Sequence, residues 1–141
     1  MISVLKFIWQ LPQNLVALVI LGLNCLGKKT FYTKEVEGIK VYIVKRGAFK
    51  CGVSLGNYII LDEIYDSDRH RPNLPTVAKH EHGHQIQSLY FGPLYLLIVG
   101  LPSAINNLIS RAKGKSDRWY YSRYPERWAD KLGHVERIYF L

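Results

Sequence analysis

The sequence predicts an α+β fold: a small antiparallel sheet of three or four strands, packed with a helix that carries H-E-x-x-H and with further helices, behind an apolar N-terminal helix. Three observations predict it. Residues 1–27 are apolar and helix-like. Residues 30–63 are rich in Val, Ile, Tyr, Phe and Thr and are broken by turn signals. Helical punctuation returns from Pro75 onward. At 141 residues the chain fits one domain, 1–141, large enough to bury a modest core.

Each element can be read in turn. Phe7 to Gly27 is a 21-residue run without a formal charge, interrupted by Gln10, Pro12, Gln13, Asn14 and Asn24, so its unbroken apolar part is Leu15–Leu23. Turns at Glu37-Gly38, Arg46-Gly47 and Gly56-Asn57 divide the next segment into strands, the last being Tyr58–Leu61. A polar loop from Asp66 to Asn73 follows. A helix from Pro75 to Phe91 has proline in its first turn and Gly92-Pro93 as its stop. A short apolar segment, Leu94–Leu101, precedes a helix from Ser103 to Ala112. The piece "PERWADKLG" has proline at its start and glycine at its end, as a helix from Pro125 to Leu132 requires.

The formal charge of +8 points to an anionic partner. Eight Lys/Arg against four Asp/Glu fall in residues 111–141, but no block of five or six consecutive like charges exists, so this is no basic tail. The interleaved "RAKGKSDRWYYSRYPER" matches no nucleic-acid-binding module, and no nucleic-acid partner is expected. Cys25 and Cys51 form no C-x-x-C and read as small buried apolar residues. A second charge-free run, Gln85 to Ser110, is 26 residues long and broken by Gly92-Pro93, Gly100, Pro102 and Asn106-Asn107. Spans need about 20 clean apolar residues. These interrupted runs, with Lys28-Lys29 and Arg111, Lys113 and Lys115 beyond their ends, fit membrane-dipping segments anchored on the cytoplasmic side better than straight spans. The competing readings are a signal peptide, which has only Lys6 as its basic region, and a core helical hairpin.

The chemistry gathers in "VAKHEHGHQI". On a helix, His80 and His84 at i and i+4 lie about 40° apart and can aim two imidazoles at one ion. Glu81 points to a neighbouring direction, where it can reach a metal-bound water instead. His82 lies on the far side, about 160° from His84, and His70 and His134 read as spare. H-E-x-x-H alone is a short pattern that arises by chance. A catalytic zinc also needs a third protein ligand and an open position. Glu126 and Asp130, again i and i+4 on a helix, supply a carboxylate ligand and a second carboxylate able to accept the other N–H of a ligating histidine.

H-E-x-x-H followed by E-x-x-x-D on a downstream helix resembles the gluzincins, the thermolysin-like clan of zinc metallopeptidases. The wider "HEHGHQIQS" is similar to small bacterial membrane-associated metallopeptidase-like proteins. The resemblance covers some 20 residues and implies Zn2+ held by His80, His84 and Glu126, Glu81 as general base and Asp130 supporting a histidine. It implies peptide-bond hydrolysis of a peptide or protein substrate, at the cytoplasmic face of a bacterial inner membrane with the bilayer as second partner. His134 and Tyr124 are candidate donors to a developing oxyanion, with Tyr120 and Tyr121 beside them. The same tyrosines with Arg118 and Arg123 also fit an interfacial aromatic belt. In such sites an edge strand pairs with the substrate backbone, a role expected for Tyr58, Ile59 and Ile60. The alternative function is a non-catalytic membrane-associated protein in which zinc clamps two helices, where Glu81 would have no part.

Overall fold

The computed structural model describes residues 2–27, 30–45, 52–67 and 73–137. The predicted Arg46-Gly47 turn, the Lys28-Lys29 anchor, Cys51 and His70 lie outside the described residues. The fold is α+β, with the elements in the order α1 (Ile2–Trp9), α2 (Leu11–Leu26), β1 (Phe31–Val36), β2 (Ile39–Val44), β3 (Val53–Leu55), β4 (Tyr58–Asp62), α3 (Leu74–Phe91), α4 (Leu101–Ala112), α5 (Asp117–Tyr121) and α6 (Glu126–Leu132).

The apolar N-terminus is two helices, bent by 90° between them. Pro12 enters α2 in its first turn, where it lacks an N–H and its ring excludes a continuous ladder. The Asn14 amide donates instead to the Phe7 carbonyl at 3.0 Å, satisfying one of the freed acceptors. Among the described residues no single helix is long and apolar enough to cross a membrane, although the bent α1–α2 pair reaches that length and composition together.

The sheet corrects the all-antiparallel expectation. Its strand order is β1-β2-β4-β3. The β1–β2 hairpin is antiparallel and closes on Glu37-Gly38, both at positive φ (50° and 80°), as a right-twisted two-residue turn demands. β4, however, runs parallel to β2, with Ile43 opposite Leu61. The chain first places β3 on the outside, then turns at Gly56-Asn57 and returns β4 to the middle. The physical reason lies in "IIL". Ile59 and Leu61 pack with Val41 and Ile43 against Leu74, Val77 and Ala78 of α3, while Ile60 packs with Val44 and Leu55 against Ala17 and Leu21 of α2. A strand buried on both faces reads as a continuous apolar run and belongs in the sheet interior. Tyr58, Ile59 and Ile60 are therefore not an edge strand: all three pair with β3, Ile60 pairs with β2 as well, and the edges are β1 and β3.

Helix α3 begins where Asn73 Oδ1 accepts from the Thr76 N–H at 3.2 Å, with Pro75 in the first turn. It sits between the sheet and α6. At the α6 side a Cβ on Gly83 would overlap the Ala129 carbonyl oxygen, and one on Gly133 would overlap that of Lys79. A side chain at either point would push the helices apart. After α3 the chain tightens into a 3-10 turn, Gly92–Leu94, then widens into a π-helical turn, Leu96–Gly100, that runs straight into α4.

Gly83→Ala is expected to destabilise the protein by about 1–3 kcal/mol in urea unfolding, the range of an overpacked contact that must shift backbone. Gly22→Ala is the matched control: a Cβ there meets nothing within 4 Å. In mid-helix it should be neutral or stabilising by up to about 1 kcal/mol.

Candidate metal centre

Two helices with the same four-residue spacing face each other across the α3–α6 contact. His80 and His84 stand on α3, Glu126 and Asp130 on α6, and all four are buried. His80 Nε2 lies 3.0 Å and His84 Nε2 3.2 Å from the same oxygen, Glu126 Oε2. The three ligand atoms fall within 4.8 Å of one another, as one metal ion requires. The two imidazoles meet edge to face, with centroids 4.8 Å apart.

The far side of each ring fixes its tautomer. His80 Nδ1 faces Asp130 Oδ1 at 2.7 Å, and His84 Nδ1 faces Gln87 Oε1 at 2.7 Å. Gln87 is oriented in turn, because its Nε2 donates to the Pro125 carbonyl at 3.1 Å. Both Nδ1 atoms thus carry protons, and both Nε2 lone pairs point at Glu126 Oε2. Three acceptors converging in a buried space repel unless a cation or a proton lies among them. The titration behaviour follows. Burial alone would lower the His80 pKa, but hydrogen bonds to Asp130 and Glu126 outweigh it and raise it to about 9. Burial likewise pushes Glu126 upward, yet its hydrogen bonds with the two histidines hold it well below the usual carboxylate range.

Around this group stands a supporting shell. Ser103 of α4 donates to Glu126 Oε1 at 2.5 Å, leaving Oε2 to face the histidines. The Arg137 guanidinium forks onto Asp130, with Nε 2.6 Å from Oδ2 and a terminal nitrogen 2.9 Å from Oδ1. It also stacks 3.3 Å over the Tyr121 ring.

Glu81 is buried and lines the same cleft, of about 740 Å³, but stands apart from the three-ligand group. Burial raises its carboxyl pKa, and the two histidines pull against that rise. Gly52 lies directly beside it: a Cβ there would come within 2.6 Å of Glu81 Oε1.

The sequence-predicted residues therefore divide. His80, His84, Glu126, Asp130 and Glu81 come together. His82 sits apart, half-buried, beside Gln85 Oε1 at 3.2 Å. Tyr120 and Tyr121 line the cleft. Tyr124 instead donates its hydroxyl to the Ile98 carbonyl at 2.8 Å, and exposed His134 closes α6 at φ 54°; neither lines the cleft. Gln87, Ser103, Arg137 and Gly52 went unnoticed in the sequence. For Gln87 alone a signal existed, since it follows His84 by three residues on the same helix.

No family model, curated protein or solved structure matches the chain. The gluzincin resemblance accordingly rests on the motif residues alone.

His84→Ala and Glu126→Ala are expected to weaken zinc binding strongly in calorimetric titration, and His82→Ala to leave it unchanged. Asp130→Ala and Ser103→Ala, which remove orienting partners, should each reduce affinity by about 10- to 100-fold. Loss of the metal in His82→Ala with retention in His80→Ala would overturn the assignment.

Proposed function

We propose that the protein is a zinc-dependent hydrolase of peptide bonds. The observation that carries this reading is the pairing of a three-ligand group with a separate buried carboxylate in one open cleft. Two imidazoles and a carboxylate with a free approach fit catalytic zinc, whereas structural zinc sites are closed by four protein ligands. When bound, zinc supplies Lewis-acid polarisation of a carbonyl and activation of water near neutral pH.

The chain's own groups would divide the remaining work. Glu81 accepts the proton of the attacking water and passes it to the leaving amine, a task its burial favours by raising its proton affinity. Asp130, held by Arg137, stabilises positive charge on the His80 ring. Tyr121, in the cleft wall, is the better-placed donor to a developing oxyanion. The neighbouring Tyr120 hydroxyl is engaged with Ser103 Oγ at 3.3 Å, and Ser103's own proton is already given to Glu126.

For the substrate, the edge strand β3 replaces β4 as the docking element. In an antiparallel ladder alternate residues turn their backbone groups outward. Ser54 is one of these, since its carbonyl accepts from Tyr95 Oη at 3.0 Å on the side away from β4. Gly52 shares that parity and borders Glu81. Ser54 lines the cleft, its hydroxyl buried and without a hydrogen-bond partner among the described residues. With the Ser54 carbonyl held by Tyr95, an extended peptide pairing at Gly52 would bring its backbone past the general base.

The non-catalytic alternative makes the opposite prediction at Glu81. Glu81→Gln should retain one equivalent of zinc and lose turnover of a quenched peptide by a factor of about 100 or more, the range a positioned base contributes. Unchanged behaviour in a wild type without turnover would favour the zinc clamp. Gly52→Ala, whose methyl group would press on Glu81, should lower turnover at least tenfold while zinc content stays full.

A further inference from the structure

Helix α2 is the inverse of an ordinary surface helix. Every exposed residue from Leu11 to Leu26 is Leu, Val, Gly or Cys, whereas Gln13, Asn14 and Asn24 are buried. Cys25, expected inside, is on the outward face. The inversion is locked by hydrogen bonds that rotation of the helix would break. Gln13 Nε2 donates to Ser88 Oγ and to the Gly92 carbonyl, both at 2.9 Å. Ser88 Oγ donates to Gln10 Oε1 at 2.7 Å, and Asn14 Oδ1 accepts from the Asn57 N–H at 2.8 Å. The exposed leucines of α2 cannot turn inward while these bonds hold.

A second unpartnered stripe adjoins it. Leu94, Leu97, Leu101, Ile105 and Leu108 recur at three- and four-residue intervals through the π-helical turn and α4, and all five are exposed. Helix α4 buries no side chain of its own. The stripes meet where Leu96 packs onto the cluster of Ala17 and Leu21.

Charge says what covers them. Residues 2–27 contain no acid, and residues 85–110 contain no charge at all. Lys6 and the run Arg111, Lys113 and Lys115 border the two stripes. The outward side of α2 offers no side-chain hydrogen bond, while protein interfaces make about one per 100–200 Å². Acyl chains need none.

We propose that the outward faces of α1–α2 and of Leu94–Leu108 form one docking surface that seats the protein on an anionic lipid bilayer, with the basic residues among the headgroups. The seat is shallow, along the interface. Because Ala104, Leu108 and Arg111 of α4 also line the metal cleft, the cleft opens beside the bilayer. Joined to the hydrolase reading, on which this last step rests, that favours membrane-anchored or membrane-emerging polypeptides as substrates.

Flotation of the full chain with vesicles tests the docking surface. Wild-type protein should float with phosphatidylcholine vesicles containing phosphatidylglycerol, less with phosphatidylcholine alone, and less again at high salt. Leu15→Glu/Val19→Glu and, on the other stripe, Leu97→Glu/Leu101→Glu should each reduce flotation at least tenfold with an unchanged melting curve. Requiring both pairs guards against misfolding of either helix. Three results would overturn the proposal: wild type that stays behind with anionic vesicles, flotation indifferent to both charged pairs, or a dimer in light scattering that the same variants dissociate and that ignores vesicles. Equal flotation on phosphatidylcholine alone would overturn the role of the basic residues. Zinc-stripped protein and Glu81→Gln should float like wild type, so the docking surface and the hydrolase fail or stand separately.

Discussion

Where α3 crosses α6, Gly83 leaves no side chain between the helix and the Ala129 carbonyl, and Gly133 does the same for the Lys79 carbonyl. Helices normally pack 8–10 Å apart, the gap set by intervening side chains; here backbone approaches backbone. That approach lets a carboxylate as short as Asp130 reach the His80 ring from the next helix. Matched spacing does the rest. Each helix advances one turn between its two functional residues, so His80 meets both acids while His84 meets Glu126.

Drawing these groups together has an electrostatic consequence. Glu81, Glu126 and Asp130 are buried as three carboxyl groups, with Arg137 as the buried guanidinium beside them. Burying an uncompensated charge carries a penalty of several kcal/mol after relaxation. Hydrogen bonds from Ser103 and Arg137 compensate part of it. The raised proton affinity of His80 offsets more of it at the point where the lone pairs converge. The same three ligand atoms could hold a metal ion in place of that proton.

What could be read from the sequence was what depends on neighbours along the chain. The bounds of α3 and α6 came from proline and glycine punctuation, and the β1–β2 hairpin from Glu37-Gly38, because helix ends and tight turns are local chemistry. The facing pairs His80–His84 and Glu126–Asp130 were legible because one helical turn fixes i and i+4. Sheet order was not: antiparallel pairing is the default for neighbouring strands, and only the two-sided burial of Ile59-Ile60-Leu61 reveals that β4 lies inside. Ser103 and Arg137 reach the site through tertiary contacts that no spacing announces. Tyr124 and His134 sit near Glu126 in sequence yet point elsewhere, since α6 presents its two sides to different surroundings. The buried amides of α2 broke the apolar run without revealing that they faced the protein.

The hydroxyl of Ser103 also has a bearing on how the protein assembles. Forty-one residues separate His84 from Glu126, and the excursion between them, through the π-helical turn, α4 and α5, starts and ends at the same His–Glu cluster. Closing such a loop carries an entropic penalty that grows only logarithmically with its length. The Ser103 contact to Glu126, with the Asn106 amide on the Tyr124 carbonyl at 2.7 Å and Tyr124 on Ile98, divides the excursion into shorter loops. A cation joining α3 to α6 would therefore act as a clasp on a loop already gathered by its own hydrogen bonds. The cleft wall then owes its shape to these hydrogen bonds, and an ion would fasten a loop that the fold has already closed.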